Sequence, residues 1–236
     1  MPRELKNIDN GYRWSARLYH VWLLAEKDLR SEFRRPYEVI SLLTFSLGAV
    51  LIASLSFGGG QVPPEMVASL LWILLLFLTI LTYTTSFARE SDRGTIGGLK
   101  SLPCSALAIL GGKVVYGTLL ILLVGSALLI FTALFLPFDL GGRYAGFLLI
   151  YALGATGLSL AAAFVSGLVM FSEGSTLLLS FLLIPVSVPI LLPAVRATTG
   201  LLVGTAEVLP ALQLLLASLG LILAVTLLTF GFVLQE

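Results

Sequence analysis

Six long apolar runs, almost free of charge, alternate along this chain with short segments that carry nearly all of its ionisable side chains. The runs cover roughly residues 39–57, 66–88, 114–136, 144–170, 176–195 and 208–234. Each is close to the ~20 apolar residues that a helix needs to cross the hydrocarbon core of a bilayer. None shows the strict alternation of a half-buried strand. The pattern predicts an all-α polytopic membrane protein with about six transmembrane helices. Turn residues punctuate it: Gly58, Gly59, Gly60, Pro63 and Pro64 separate the first two runs, and Pro137, Asp139, Gly141 and Gly142 the third and fourth.

A different period precedes the first run. Trp14, Leu18, Trp22, Ala25, Leu29 and Phe33 recur at helical spacing, while Arg13, Arg17, Lys27, Arg30 and Arg34 take other positions. Aromatic residues on one face and basic residues on another predict an amphipathic helix lying in the membrane interface. A soluble amphipathic helix packed on a partner fits the same pattern. Residues 1–38 are thus expected to form a cytoplasmic or interfacial segment, and residues 39–236 a six-helix transmembrane domain. The polar start and the late first apolar run are unlike a secretory signal, which places its apolar core within the first 15–30 residues or so.

Composition strengthens the membrane reading. Of 236 residues, 58% are hydrophobic and 11% charged, against about 25% charged in soluble domains. The mean hydropathy is +1.02. The net charge of +1 says little as a total, but its distribution sets an orientation. With the N-terminus in the cytoplasm, eight basic residues precede the first span, and Arg89, Arg93, Lys100 and Lys113 follow the second. Only Arg143 and Arg196 fall outside, so twelve basic residues oppose two. This bias predicts a multi-pass protein of the cytoplasmic (inner) membrane with both termini in the cytoplasm.

Candidate chemistry is sparse. Cys104 and His20 stand alone and far apart, a poor start for a metal site or a disulfide, and none is expected. No phosphate-cradling Gly-x-x-x-x-Gly-Lys-Ser/Thr loop is present. Gly111-Gly112-Lys113 is followed by Val114 and lacks the first glycine, and reads as a helix start near the membrane surface. No nucleophile elbow or zinc-protease motif occurs. No catalytic residue is therefore assigned, and a lipid-modifying membrane enzyme fits poorly. The spans hold almost no ionisable residues, which disfavours an ion-coupled transporter. Glu173 is the nearest candidate, and it falls in the short turn after the fourth span.

Three features remain. The segment Phe87 to Lys113 opens with Arg89, Glu90, Asp92 and Arg93, turns at Gly94 and Gly97-Gly98, and carries Leu99 and Leu102 one turn apart before Pro103. It reads either as an amphipathic element that docks on a cytoplasmic partner or as a solvated loop. Pro185, Pro189 and Pro193 fall four apart in the fifth span, close to one helix face, and mark a broken or re-entrant element or a plain kink. Ala155, Ser159, Ala163 and Gly167 repeat at the same spacing in the fourth span. Such a stripe suits close helix packing, within the chain or with another subunit.

Together these residues resemble the CcmB family, also called haem exporter protein B, the membrane subunits of the ATP-binding-cassette (ABC) system for cytochrome c maturation. The resemblance is carried by Phe87, Glu90, Gly94, Leu99, Leu102, Pro103 and Lys113, then by Gly174 to Ser180, Ile184-Pro185 and Val188-Pro189-Ile190. It implies an ABC-2-type exporter-like fold and a permease subunit without its own ATP site, ATP being bound by a partner. Its 89–113 segment would couple to that partner, with contacts from Phe87, Glu90, Asp92, Arg93, Gly94, Leu99, Leu102 and Pro103. The implied partners are an ABC ATPase subunit (CcmA-like), a haem-handling membrane subunit (CcmC-like), a small membrane subunit (CcmD-like) and a haem chaperone (CcmE-like). Haem would be handled by the complex, with no cofactor bound by this chain directly: the tryptophan-rich haem-handling motif of the partner subunit is absent here. A general ABC-2-type export permease for drugs, lipids or polysaccharide shares the same architecture. No nucleic-acid partner is implied.

Overall fold

A computed structural model describes residues 19–34, 36–58, 60, 62–92, 106–136, 141–169, 175–205 and 207–233. All regular structure among them is α-helical. Helix α1 covers residues 19–33. Six longer helices follow: α2 (Pro36–Ser56), α3 (Pro64–Asp92), α4 (Ala106–Phe135), α5 (Tyr144–Val169), α6 (Ser175–Val203) and α7 (Val208–Val233). Each of the six is long and apolar enough to cross a membrane.

Local chemistry sets the ends. Pro36 and Pro64 open α2 and α3, where a missing amide proton costs nothing because first-turn amides have no helical partner. Helix α6 closes on Gly204, whose φ of 82° lies in the left-handed region that favours glycine. There the amides of Gly204 and Thr205 both donate to the Gly200 carbonyl, at 2.8 and 2.9 Å.

Two boundaries differ from the sequence pattern. Helix α4 begins at Ala106, eight residues before the apolar run at 114, because Gly111-Gly112-Lys113 continues the helix instead of starting it. Thirty residues span about 45 Å, more than a ~30 Å hydrocarbon core requires. Helix α6 runs on to Val203 and takes Arg196 into its last turns. It is also unbroken through Pro185, Pro189 and Pro193. A step of four residues turns 40° past a full circle, so the three rings drift around the helix: Pro185 is exposed, Pro189 half-buried and Pro193 buried.

Helices α3 and α5 form the centre. Helix α3 packs against α4, α5 and α6, while α5 packs against α3, α4, α6 and α7. The outer helices are attached by narrow stripes. Helix α2 turns Glu38, Leu42, Ser46 and Val50 inward, chiefly against α4. Helix α7 buries Ala211, Leu215, Ile222 and Thr226. Their remaining faces carry exposed apolar residues such as Ile52, Leu55, Leu221 and Leu228, as lipid-facing helices do. Lipid gives apolar faces no reason to associate, so close packing and interhelical hydrogen bonds hold such a bundle together.

Candidate functional site

Two buried tyrosine hydroxyls of this bundle fall on glycine notches. Gly117 on α4 lies directly under the hydroxyl of Tyr83 from α3 and the Oγ of Ser159 from α5; a Cβ there would collide with both. The Tyr83 hydroxyl lies 3.0 Å from the carbonyl oxygens of Lys113 and Ser159 and 2.8 Å from Ser159 Oγ. Ser159 Oγ in turn donates to the Val114 carbonyl at 2.9 Å. One phenolic proton thus serves several acceptors, and three helices meet at one point.

The arrangement recurs two turns along α4. Gly125 lies under the Tyr151 hydroxyl, 2.5 Å from the position a Cβ would take. That hydroxyl donates to the Leu122 and Ile121 carbonyls at 2.9 and 3.2 Å. In both notches the accepting α4 carbonyls belong to residues three and four before the glycine. A third close approach crosses the centre. The Trp72 ring lies on Gly154, and its Nε1 donates to Thr198 Oγ1 at 2.9 Å.

At the start of α4, helix α1 crosses a surface without side chains. A Cβ on Gly111 would stand 3.2 Å from Val21 Cγ2, and one on Gly112 would stand 2.8 Å from the Leu24 Cβ. Ala25 is fully buried in this contact. Two turns further along α1, Glu32 is also fully buried, and the Tyr116 hydroxyl donates to its Oε2 at 2.8 Å. Glu38, in the first turn of α2, is the other buried carboxylate among the described residues.

This geometry changes the reading of α1. Trp22, Ala25, Leu29 and Phe33 share one stripe in the sequence, yet Ala25 is buried, Leu29 is half-buried, and Trp22 and Phe33 are exposed. The face that meets α4 holds Val21, Ala25 and Glu32, rotated toward one edge of the stripe. The aromatic edge, with Tyr19 and Leu23 also exposed, points away from the bundle.

The other sequence candidates fall as follows. Phe87, Glu90 and Asp92 lie on the last turns of α3. Arg93, Gly94, Leu99, Leu102 and Pro103 lie outside the described residues. Because Tyr83 meets Lys113 while Leu75 meets Gly125, α3 and α4 run antiparallel. Both ends that flank residues 93–105 therefore emerge on the same side as α1. Ala155, Ser159 and Ala163 are fully buried, and Gly167 is partly covered. The sequence pattern did not single out Glu32, Glu38, Tyr83, Tyr116, Tyr151 or the Trp72–Thr198 pair. The position of Glu32, three after Leu29 and seven after Ala25, was the available signal, since it places the carboxylate on the apolar side of α1.

Among the described residues no three His, Cys, Asp or Glu side chains gather closely enough to hold a metal ion. A family model described as CcmB protein matches residues 19–234. No match was found among curated proteins or among solved structures.

Proposed function

The chain belongs to the CcmB family, and from that premise we propose that it is the membrane subunit that couples ATP hydrolysis by a separate ATPase to haem delivery or to release of a haem chaperone in cytochrome c maturation. The observation that carries this reading is the family match, which runs from α1 through the end of α7. The absence of a phosphate loop from the sequence supports an ATP site in a partner. The haem-handling subunit, the small membrane subunit and the haem chaperone complete the proposed assembly, which handles haem.

A subunit of this kind must receive force through a cytoplasmic contact that is rigidly joined to its spans. The segment Phe87 to Lys113 is our candidate for that contact, with residues 93–105 at its middle. They link α3 to α4, and the Tyr83–Lys113 bond ties those two helices together at 3.0 Å just inside the link. Leu99 and Leu102 supply the apolar anchor, with Phe87, Glu90, Asp92 and Arg93 around it.

Pull-down of the ATPase tests the proposal. Replacing Leu99 and Leu102 together by Asp should leave membrane insertion intact but remove ATPase binding and cytochrome c maturation. Buried anchors contribute about 2 kcal/mol or more each. Arg196→Ala, at the opposite end of the bundle, should bind the ATPase like the unaltered chain, and the chain alone should hydrolyse no ATP. Normal binding by the double variant would move the docking element from this segment to α1.

A further inference from the structure

The geometry points to Glu32 and Tyr116 as a pin that fastens α1 to α4, so that the amphipathic helix and the first turns of the third span move as one body when the complex uses ATP. For the source of the force this rests on the coupling reading above. The contact itself stands on its own distances.

Three observations carry it. Glu32 has 0% exposure, whereas the basic side chains of α1, Lys27 and Arg30, are exposed. Taking a carboxylate out of water is costly unless it is hydrogen-bonded, and an apolar residue would pack the same place without that cost. What the carboxylate supplies toward α4 is a directional bond, 2.8 Å long, from the Tyr116 hydroxyl.

Second, α1 is held at two separated places. Val21, Leu24 and Ala25 seat against Gly111 and Gly112, and Glu32 holds Tyr116. Those places lie at least seven residues apart along α1, or about 10 Å. A single contact would leave a pivot, whereas two fix the helix direction. The seat has no slack either, because a Cβ on Gly112 would come within 2.8 Å of Leu24.

Third, the pin ends beside the point where three helices are hydrogen-bonded together. Tyr116 neighbours Gly117, the floor under Tyr83 and Ser159, and is within three residues of both α4 carbonyls that those side chains engage, Lys113 and Val114. A displacement of α1 is therefore delivered to α4 and, through that node, to α3 and α5. Glu32 acts here as a positioning residue through Tyr116 and touches no cargo.

The test uses the complete complex. Tyr116→Phe and Glu32→Ala each remove the pin. Both variants should insert, bind the ATPase and hydrolyse ATP. Cytochrome c yield, normalised to complex in the membrane, should fall about tenfold, the scale of one lost hydrogen bond to a charged group. Adding Tyr116→Phe to Glu32→Ala should lower the yield no further than Glu32→Ala alone. Glu32→Gln keeps an acceptor for the Tyr116 hydroxyl and should recover most of the yield. Independently, Val21→Cys with Gly111→Cys, in a Cys104→Ser background, joins the two helices by a disulfide. The oxidised complex in lipid nanodiscs should retain the ATP-driven activity of its reduced form. Loss of activity that reductant restores would show that α1 must leave α4, and it overturns the proposal. Full yield from Tyr116→Phe overturns it as well. If the unaltered chain binds no ATPase, the coupling reading fails and the pin is read alone. The disulfide should then form faster with Tyr116 present than in Tyr116→Phe, and equal rates sink it.

Discussion

Gly117 and Gly125 lie two turns apart on α4, and each forms the floor beneath a tyrosine hydroxyl. Gly117→Ala would drive a methyl group into Tyr83 and Ser159, at a cost of about 1–3 kcal/mol for overpacking. Gly48, on lipid-facing α2, has nothing within 4 Å of its would-be Cβ. Gly48→Ala should be neutral or stabilising by up to about 1 kcal/mol, since glycine weakens a helix interior. Thermal melting of the two variants in detergent checks the contrast, and an equal shift would mean that the notch is not tight. Little of this was legible beforehand. Ser159 stood out by its four-residue stripe, but its partner Tyr83 lies 76 residues away in sequence, and spacing along one helix says nothing about a neighbour. Tyr83 and Tyr151 sit in apolar runs where a tyrosine reads as ordinary core.

Single helices were read more reliably than single contacts. The six spans are present, because a twenty-residue apolar run leaves the backbone one way to satisfy its amides in lipid. Their ends differ from the apolar runs at Gly111-Gly112 and at Arg196. Both positions are helical, and the missing side chains of the glycine pair let α1 lie close across it. Helix α1 shows the limit of periodicity. Ala25 lies 60° around the helix from Trp22, a small angle in a pattern, but enough to separate a protein-facing edge from an exposed one. If that exposed edge rests in the membrane interface, Trp22 fluorescence should be quenched by lipids brominated high on the acyl chain, in a chain whose Trp14 and Trp72 are replaced by Phe. Quenching by an aqueous quencher alone would place Trp22 in water.

For the molecule as a whole, charge distribution makes the firmest statement. A Cys at position 100 should be labelled only from the cytoplasm, and Gly142→Cys only from the far side, both in a Cys104→Ser background; the reverse pattern would overturn the orientation. The family was legible from residues spread over Phe87–Lys113 and Gly174–Ile190, whereas the seat of α1 was not, since it depends on which way Glu32 faces. The pairing of the helices also bears on biosynthesis. Trp72 finds its hydrogen-bond partner in Thr198, 126 residues later, and α3, half the centre of the bundle, packs heavily on α6. A nascent chain thus places its second span in the bilayer long before the ribosome has made the helix that the indole is shaped to meet. During that interval the ring faces lipid or whatever attends the emerging polypeptide, so the bundle cannot mature span by span and must close late, around α6.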